Sequence, residues 1–234
     1  MKKLILVAVL LVATTASAQV ARKIIVEHFT NTVCGVCALR NPGFYANLEN
    51  YPDVLHLAIH PSSPYASCLL NQNNVAENDA RTNYYGVYGS TPRLVIQGQV
   101  IPSSADYSDA ALFEPFENQT TPISLTIWQT KFGNDSMRVT YVAKTVAPNT
   151  LGTLVLFAAL AEDTVFYNSP NGETLHHDVY RKSLAGVASQ ITVIPAAVGD
   201  SVSYTVNFHT DFDWDYARLF AVGVLQDSST KAVE

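Results

Sequence analysis

Positive charge is scarce in this chain: 14 Lys and Arg face 20 Asp and Glu, and only 15% of the 234 residues are charged. The net charge of −6 argues against a nucleic-acid partner or an anionic membrane surface. Long apolar runs are also missing beyond the N-terminus. A membrane helix needs roughly 18 uncharged apolar residues, and the richest later segment, Leu151 to Ala161, is short and reads as a buried strand. No transmembrane helix is expected. Cysteine is sparse and odd in number, three in all, so in an oxidising compartment one thiol is free or pairs outside the chain. Internal repeats and low-complexity tracts are absent, and no motif asks for a cofactor.

What is present begins with an export signal. Met1-Lys2-Lys3 is positive, an apolar run follows from Leu4 to Ala13, and Ala16-Ser17-Ala18 offers a small-residue cleavage site before Gln19. Residues 1–18 therefore read as a signal peptide. Its apolar run is too short for a permanent anchor, and Gln19 is not a cysteine that would take a lipid. Without Lys2 and Lys3 the formal charge is −8, spread diffusely. The remaining 216 residues suggest two domains of roughly 100 residues each.

Composition changes near residue 120. Over residues 19–119, strand-like runs alternate with helix-like ones: Lys23–Phe29, Val54–Ile59 and Leu94–Ile96 as strands, Val36–Glu49 and Val75–Tyr85 as helices. That β-α-β-α-β order is an α/β pattern. Over residues 120–234 short strands alternate apolar and polar positions: Ile123–Trp128, Met137–Ala143, Leu154–Leu160, Ile191–Ile194, Val202–Phe208 and Arg218–Leu225. Turn residues at Gly133-Asn134-Asp135, Pro170-Asn171-Gly172 and Gly199-Asp200 separate some of them. This spacing predicts an all-β, immunoglobulin-like sandwich domain.

Chemistry concentrates in Cys34-Gly35-Val36-Cys37, at the junction of the first strand and first helix. Unpaired N–H groups and the positive end of the dipole at a helix N-terminus stabilise a thiolate, so Cys34 is expected to have a lowered pKa and act as nucleophile. Cys37, one turn further in, is then the resolving thiol. A CxxC beside a βαβ pattern reads as a thioredoxin-like redox motif. Thr91-Pro92, directly before the strand at Leu94, sits where thioredoxin-like domains place a cis-proline that meets an extended substrate strand. Pro42 matches the proline inside their first active-site helix.

Glu27 and His28 precede Cys34 by seven and six positions, near where thioredoxins bury an acid. Neighbouring strand residues point to opposite faces, so one of the two is expected to matter. Glu27 is taken as the base that accepts the Cys37 proton. Cys68, in the polar segment Pro61 to Asn74, reads as a small buried side chain. His176-His177-Asp178 invites a metal reading, but adjacent strand side chains diverge, and no metal site is expected.

The runs Val26–Cys37, Gly89–Ile96 and Leu175–Arg181 together resemble the family related to the twenty-eight-kilodalton outer membrane protein of Bacteroidetes. The resemblance implies a thioredoxin-like first half and a β-rich second half. It further implies export to the periplasm, outer membrane or cell surface of a Gram-negative bacterium. Ala38 stands where that family would place a proline after the second cysteine. Two functions follow. One is thiol–disulfide oxidoreduction on protein thiols or disulfides, with the sandwich recruiting other envelope proteins. The other is surface binding or adhesion, with the thioredoxin-like half as a scaffold. An exposed Cys34 beside a cis Thr91-Pro92 bond favours the first, and a buried thiol pair favours the second.

Overall fold

The computed structural model describes residues 19–186, 191–194 and 197–234. The expected signal peptide lies outside the described residues. After a two-residue strand β1 (Val20–Ala21), the chain runs through β2 (Ile25–Phe29), helix α1 (Gly35–Glu49) and β3 (Leu55–Ile59). A short helix α2 (Leu69–Gln72) and α3 (Val75–Tyr84) lead to β4 (Arg93–Ile96) and β5 (Gln99–Val100). Two 3-10 turns and β6 (Thr120–Thr121) then lead to β7 (Ile123–Phe132), β8 (Ser136–Thr145) and β9 (Leu154–Phe166). The chain closes with β10 (Leu175–Ser183), β11 (Ile191–Val193), β12 (Ser201–His209) and β13 (Leu219–Asp227).

β2 and β3 pair in parallel, Glu27 opposite Leu57, and β4 joins β2 antiparallel. β10 then adds to β3 in parallel, with Val179 opposite Ala58, and carries the sheet on to β9, β13 and β11. Strands from both halves of the chain thus build one eight-stranded sheet. β12, β8 and β7 form a separate three-stranded antiparallel sheet.

This arrangement corrects the expectation that residues 120–234 fold as a self-contained sandwich. Only one layer of it, the three-stranded sheet, belongs wholly to that half. Its partner layer continues the sheet begun by β2, β3 and β4. The reason lies in β9, whose Leu154–Leu160 run is apolar at successive positions rather than alternating. Leu154, Leu156, Ala158 and Leu160 face Met137, Val139 and Tyr141 of β8. Phe157, Ala159 and Ala161 turn the other way and join Ile25, Phe29, Leu57, Tyr85 and Tyr180. A strand buried on both faces has to lie inside a sheet covered on both sides. β7 behaves as its alternation suggests: Ile123, Leu125 and Ile127 turn to the core while Thr126 and Trp128 are exposed.

Alternation along β2 sets the site. Ile25, Glu27 and Phe29 face the α3 side, while Val26 joins the α1-side cluster of Phe44, Leu94, Ile96 and Tyr107. β10, absent from the strands read in the sequence, is the strand that joins the two halves.

Candidate functional site

The chain leaves β2 through Thr30–Val33, and Asn31 shapes that connection. Its Nδ2 donates to the carbonyls of Pro61 (3.0 Å) and Tyr65 (3.1 Å), and its Oδ1 accepts from the Val33 N–H (3.0 Å). This Asx turn aims the chain into α1. Cys34 is the N-cap, extended at φ −79° and ψ 109°, and its Sγ accepts from the Cys37 backbone N–H at 3.1 Å. The sulfur thus takes the place of the usual capping oxygen and sits at the positive end of the helix. On its other side Cys34 Sγ lies 3.5 Å from the Thr91 carbonyl, and the Thr91-Pro92 bond is cis.

Cys34, Cys37 and Cys68 are all free thiols. Burial pushes the Cys37 thiol up to about 12, its hydrogen bond to Cys34 adds to the rise, and the hydroxyls of Thr91 and Thr30 pull against it. Cys34 is itself 2% exposed. The two geometric expectations therefore divide: the cis-proline stands beside Cys34, and the thiol pair is buried. Pro42 lies inside α1, as expected.

Glu27 is corrected. It points away from α1, where the Arg81 Nε and Nη2 donate to its carboxylate at 2.6 and 2.8 Å and the Tyr85 hydroxyl donates at 2.5 Å. Gln226 of β13 accepts from Arg81 at 2.8 Å and donates to the Tyr85 oxygen at 2.9 Å. A carboxylate held by a buried guanidinium and a phenol has its lone pairs committed, so Glu27 ties β2 to α3 and β13 rather than serving Cys37. His28 takes the α1 face instead, edge-on to Phe44 at 4.8 Å and Tyr45 at 5.9 Å. Burial, with His56 and His60 nearby, holds its pKa well below the usual histidine value.

Cys68 is fully buried beside Leu70 and Val179, and the Thr32 hydroxyl donates to its sulfur at 3.2 Å. His176 and His177 diverge. The His176 Nε2 meets the Tyr167 carbonyl at 3.2 Å, while the His177 ring stands 4.8 Å from Tyr45. Asp178 pairs with His56 at 2.9 Å.

Sequence reasoning missed the loop between β9 and β10. The Asn171 N–H donates to the Thr32 carbonyl (3.1 Å), and its Nδ2 lies within bonding distance of the Cys34 (3.1 Å) and Asn31 (3.3 Å) carbonyls. Glu173 accepts from Asn171 at 2.6 Å and from Asn41 of α1 at 2.8 Å, and Asn41 also donates to the Thr30 hydroxyl at 3.0 Å. The one available signal was the turn triplet Pro170-Asn171-Gly172. Beside the loop lies an open groove of about 400 Å³, lined by Ala38, Pro42 and Tyr45 of α1 with Gly172, Glu173 and Leu175.

No known family model and no curated protein matches the chain. Among solved structures it is similar to HBP35 of Porphyromonas gingivalis, with a TM-score of 0.70 at 15% identity over 92% of this chain and 73% of that one. A domain of the outer membrane lipoprotein Omp28 from Porphyromonas gingivalis gives a TM-score of 0.33 at 16% identity, over 48% of this chain and 81% of that one. The first likeness is one of fold; the second is too slight to add to it.

Proposed function

We propose that this is an exported cell-envelope protein whose thioredoxin-like first half exchanges thiols and disulfides. The reading rests on one observation: Cys34 Sγ sits at the N-terminus of α1, accepting from the Cys37 N–H at 3.1 Å, with the Thr91 carbonyl at 3.5 Å. The Cys34 thiolate attacks one sulfur of a substrate disulfide, forming a mixed disulfide and releasing the first substrate thiolate. Cys37 then attacks the Cys34 sulfur, and the Cys34–Cys37 disulfide forms as the second substrate thiolate leaves with the Cys37 proton. Two electrons pass to the substrate, and a dithiol of the envelope restores the pair. Pro92, beside the nucleophile, borders the path of the substrate strand. Val36 and Leu39, 54% and 82% exposed, supply an apolar surface on the same end of α1. The Lys2-Lys3 start, apolar run and Ala16-Ser17-Ala18 site support export, and a mature N-terminus at Gln19 is expected by mass spectrometry.

Insulin reduction tests the reading. Wild type should turn over, Cys34→Ser should be inactive, and Cys37→Ser should accumulate a mixed disulfide with its substrate. The burial of both thiols favours a second reading, in which the domain is a scaffold for surface binding. In that case neither wild type nor Cys34→Ser turns over.

A further inference from the structure

The strand-to-helix connection that presents Cys34 is held from two directions. Its own half of the chain holds it through Asn31, whose amide grips the Pro61 and Tyr65 carbonyls. The second half reaches it through Asn171, about 140 positions away in sequence. Asn171 presents its backbone N–H to the Thr32 carbonyl at 3.1 Å, and its side-chain amide, which also donates to the Glu173 carboxylate at 2.6 Å, to the Cys34 and Asn31 carbonyls at 3.1 and 3.3 Å. Its orientation is fixed, because its Oδ1 accepts from the Ser169 hydroxyl at 2.6 Å and from the Glu173 N–H at 3.1 Å. An Asn whose oxygen is already committed twice can offer only donors to the connection. Glu173, which accepts from Asn41 of α1, clips the same loop to the helix that carries the thiols.

We infer that Asn171 is a positioning residue for the thiol pair: from the β9–β10 loop it holds the Asn31–Cys34 backbone so that the Cys34 sulfur stays on the Cys37 N–H. This rests on the exchange reading above and deepens it. Two physical effects act in the same direction. Donors on the Asn31, Thr32 and Cys34 carbonyls offset the negative ends of those dipoles close to the sulfur, which favours its thiolate. Fixing the N-cap backbone preserves the bond from the Cys37 N–H to that sulfur. Both stabilise the dithiol form more than the disulfide form, and a dithiol stabilised in this way makes its couple more oxidising.

The measurement is the equilibrium of the whole mature protein with glutathione, in a Cys68→Ser background that removes the third thiol. The reaction balances: the protein dithiol and oxidised glutathione give the Cys34–Cys37 disulfide and two glutathione thiols. Asn171→Ala should shift that equilibrium about tenfold toward the protein disulfide, about 30 mV for this two-electron couple. Asn171→Asp, which turns an acceptor toward the Asn31 and Cys34 carbonyls, should shift it further. Asn171→Ser, which differs from alanine by a short hydroxyl that can still donate, should fall between wild type and alanine. A merely structural role for the loop would lower the melting temperature without moving the potential.

Variants that fold with shifts below twofold, or with shifts toward the dithiol, would overturn the inference. If the alanine variant does not fold, the serine variant decides by the same criterion. Potentials that move in a protein with no insulin turnover would remove the exchange function and leave Asn171 as a positioning residue. Turnover with unmoved potentials would remove only Asn171. A wild-type pair that never forms a disulfide would remove both.

Discussion

Lowering the pH from 7.5 to 5.5 should destabilise this protein chiefly through two histidines, with His176, whose pKa burial lowers less, acting in the same direction. His28 and His60 are both buried, and burial holds each pKa well below 6.5. His28 is faced by Arg40, Asn41 and Tyr45 of α1 and by His56 of β3; His60 is faced by His56 and by His176 and Arg181 of β10. Their folded pKa values are depressed, so below 6.5 the unfolded chain binds protons that the folded chain does not. Stability is therefore full above 6.5 and falls as the pH drops below it. At pH 5.5 a histidine that stays neutral in the fold and titrates normally in the unfolded chain contributes a loss of about 1.4 kcal/mol, so the pair loses about 3 kcal/mol. With a urea m-value of about 2–3 kcal/mol/M, the midpoint should fall by about 1 M. The acids with lowered pKa, among them Asp227 at about 2, titrate below this window and leave the slope to the histidines. Urea melts at the two pH values make the test, and His28→Gln should remove about half of the pH-dependent shift whatever its own cost. Wild-type midpoints that agree within about 0.3 M would refute the reasoning.

Glu27→Gln leaves Arg81 buried without its carboxylate and should cost about 3–5 kcal/mol in urea melts. It should leave the alkylation rate of Cys34 in the folded protein unchanged, because Glu27 lies on the opposite face of β2. Gly98 has φ +82°, and a Cβ there would stand 1.9 Å from the Lys231 carbonyl oxygen. Gly98→Ala should therefore cost more than about 1 kcal/mol, read as a melting temperature lower by at least about 2–4 °C. The buried Tyr141 hydroxyl donates toward the Ala159 carbonyl at 3.3 Å and the Val222 carbonyl at 3.1 Å, joining β8 to β9 and β13. Tyr141→Phe should cost about 1 kcal/mol, measured as a shift in the urea midpoint at unchanged slope.

Several features were legible from residue order alone because their causes are local. The CxxC marks the start of α1 because a capping group and a helix N-terminus are neighbours in sequence, and Cys34 does cap it. The alternation of Ile123, Leu125 and Ile127 with Thr126 and Trp128 gives β7 its two faces, since strand side chains alternate whatever the partner. Pro92 likewise falls just ahead of β4, beside Cys34.

What pairs with what required the tertiary structure. Glu27 and His28 are adjacent acid and base in sequence, and only the placement of α1 and α3 on opposite sides of β2 decides that Glu27 meets Arg81 while His28 meets Phe44. The polar start of β10 at Leu175-His176-His177 hides a strand whose parallel pairing with β3 fuses the two halves into one sheet. That fusion brings Asn171 to the carbonyls of Asn31, Thr32 and Cys34. Hydrogen-bond capacity is written in a residue's type, but its partner is chosen by whatever the fold brings within about 3 Å. The sequence alone therefore determined two thiols at the head of a helix, and the fold decided which distant side chains hold them there.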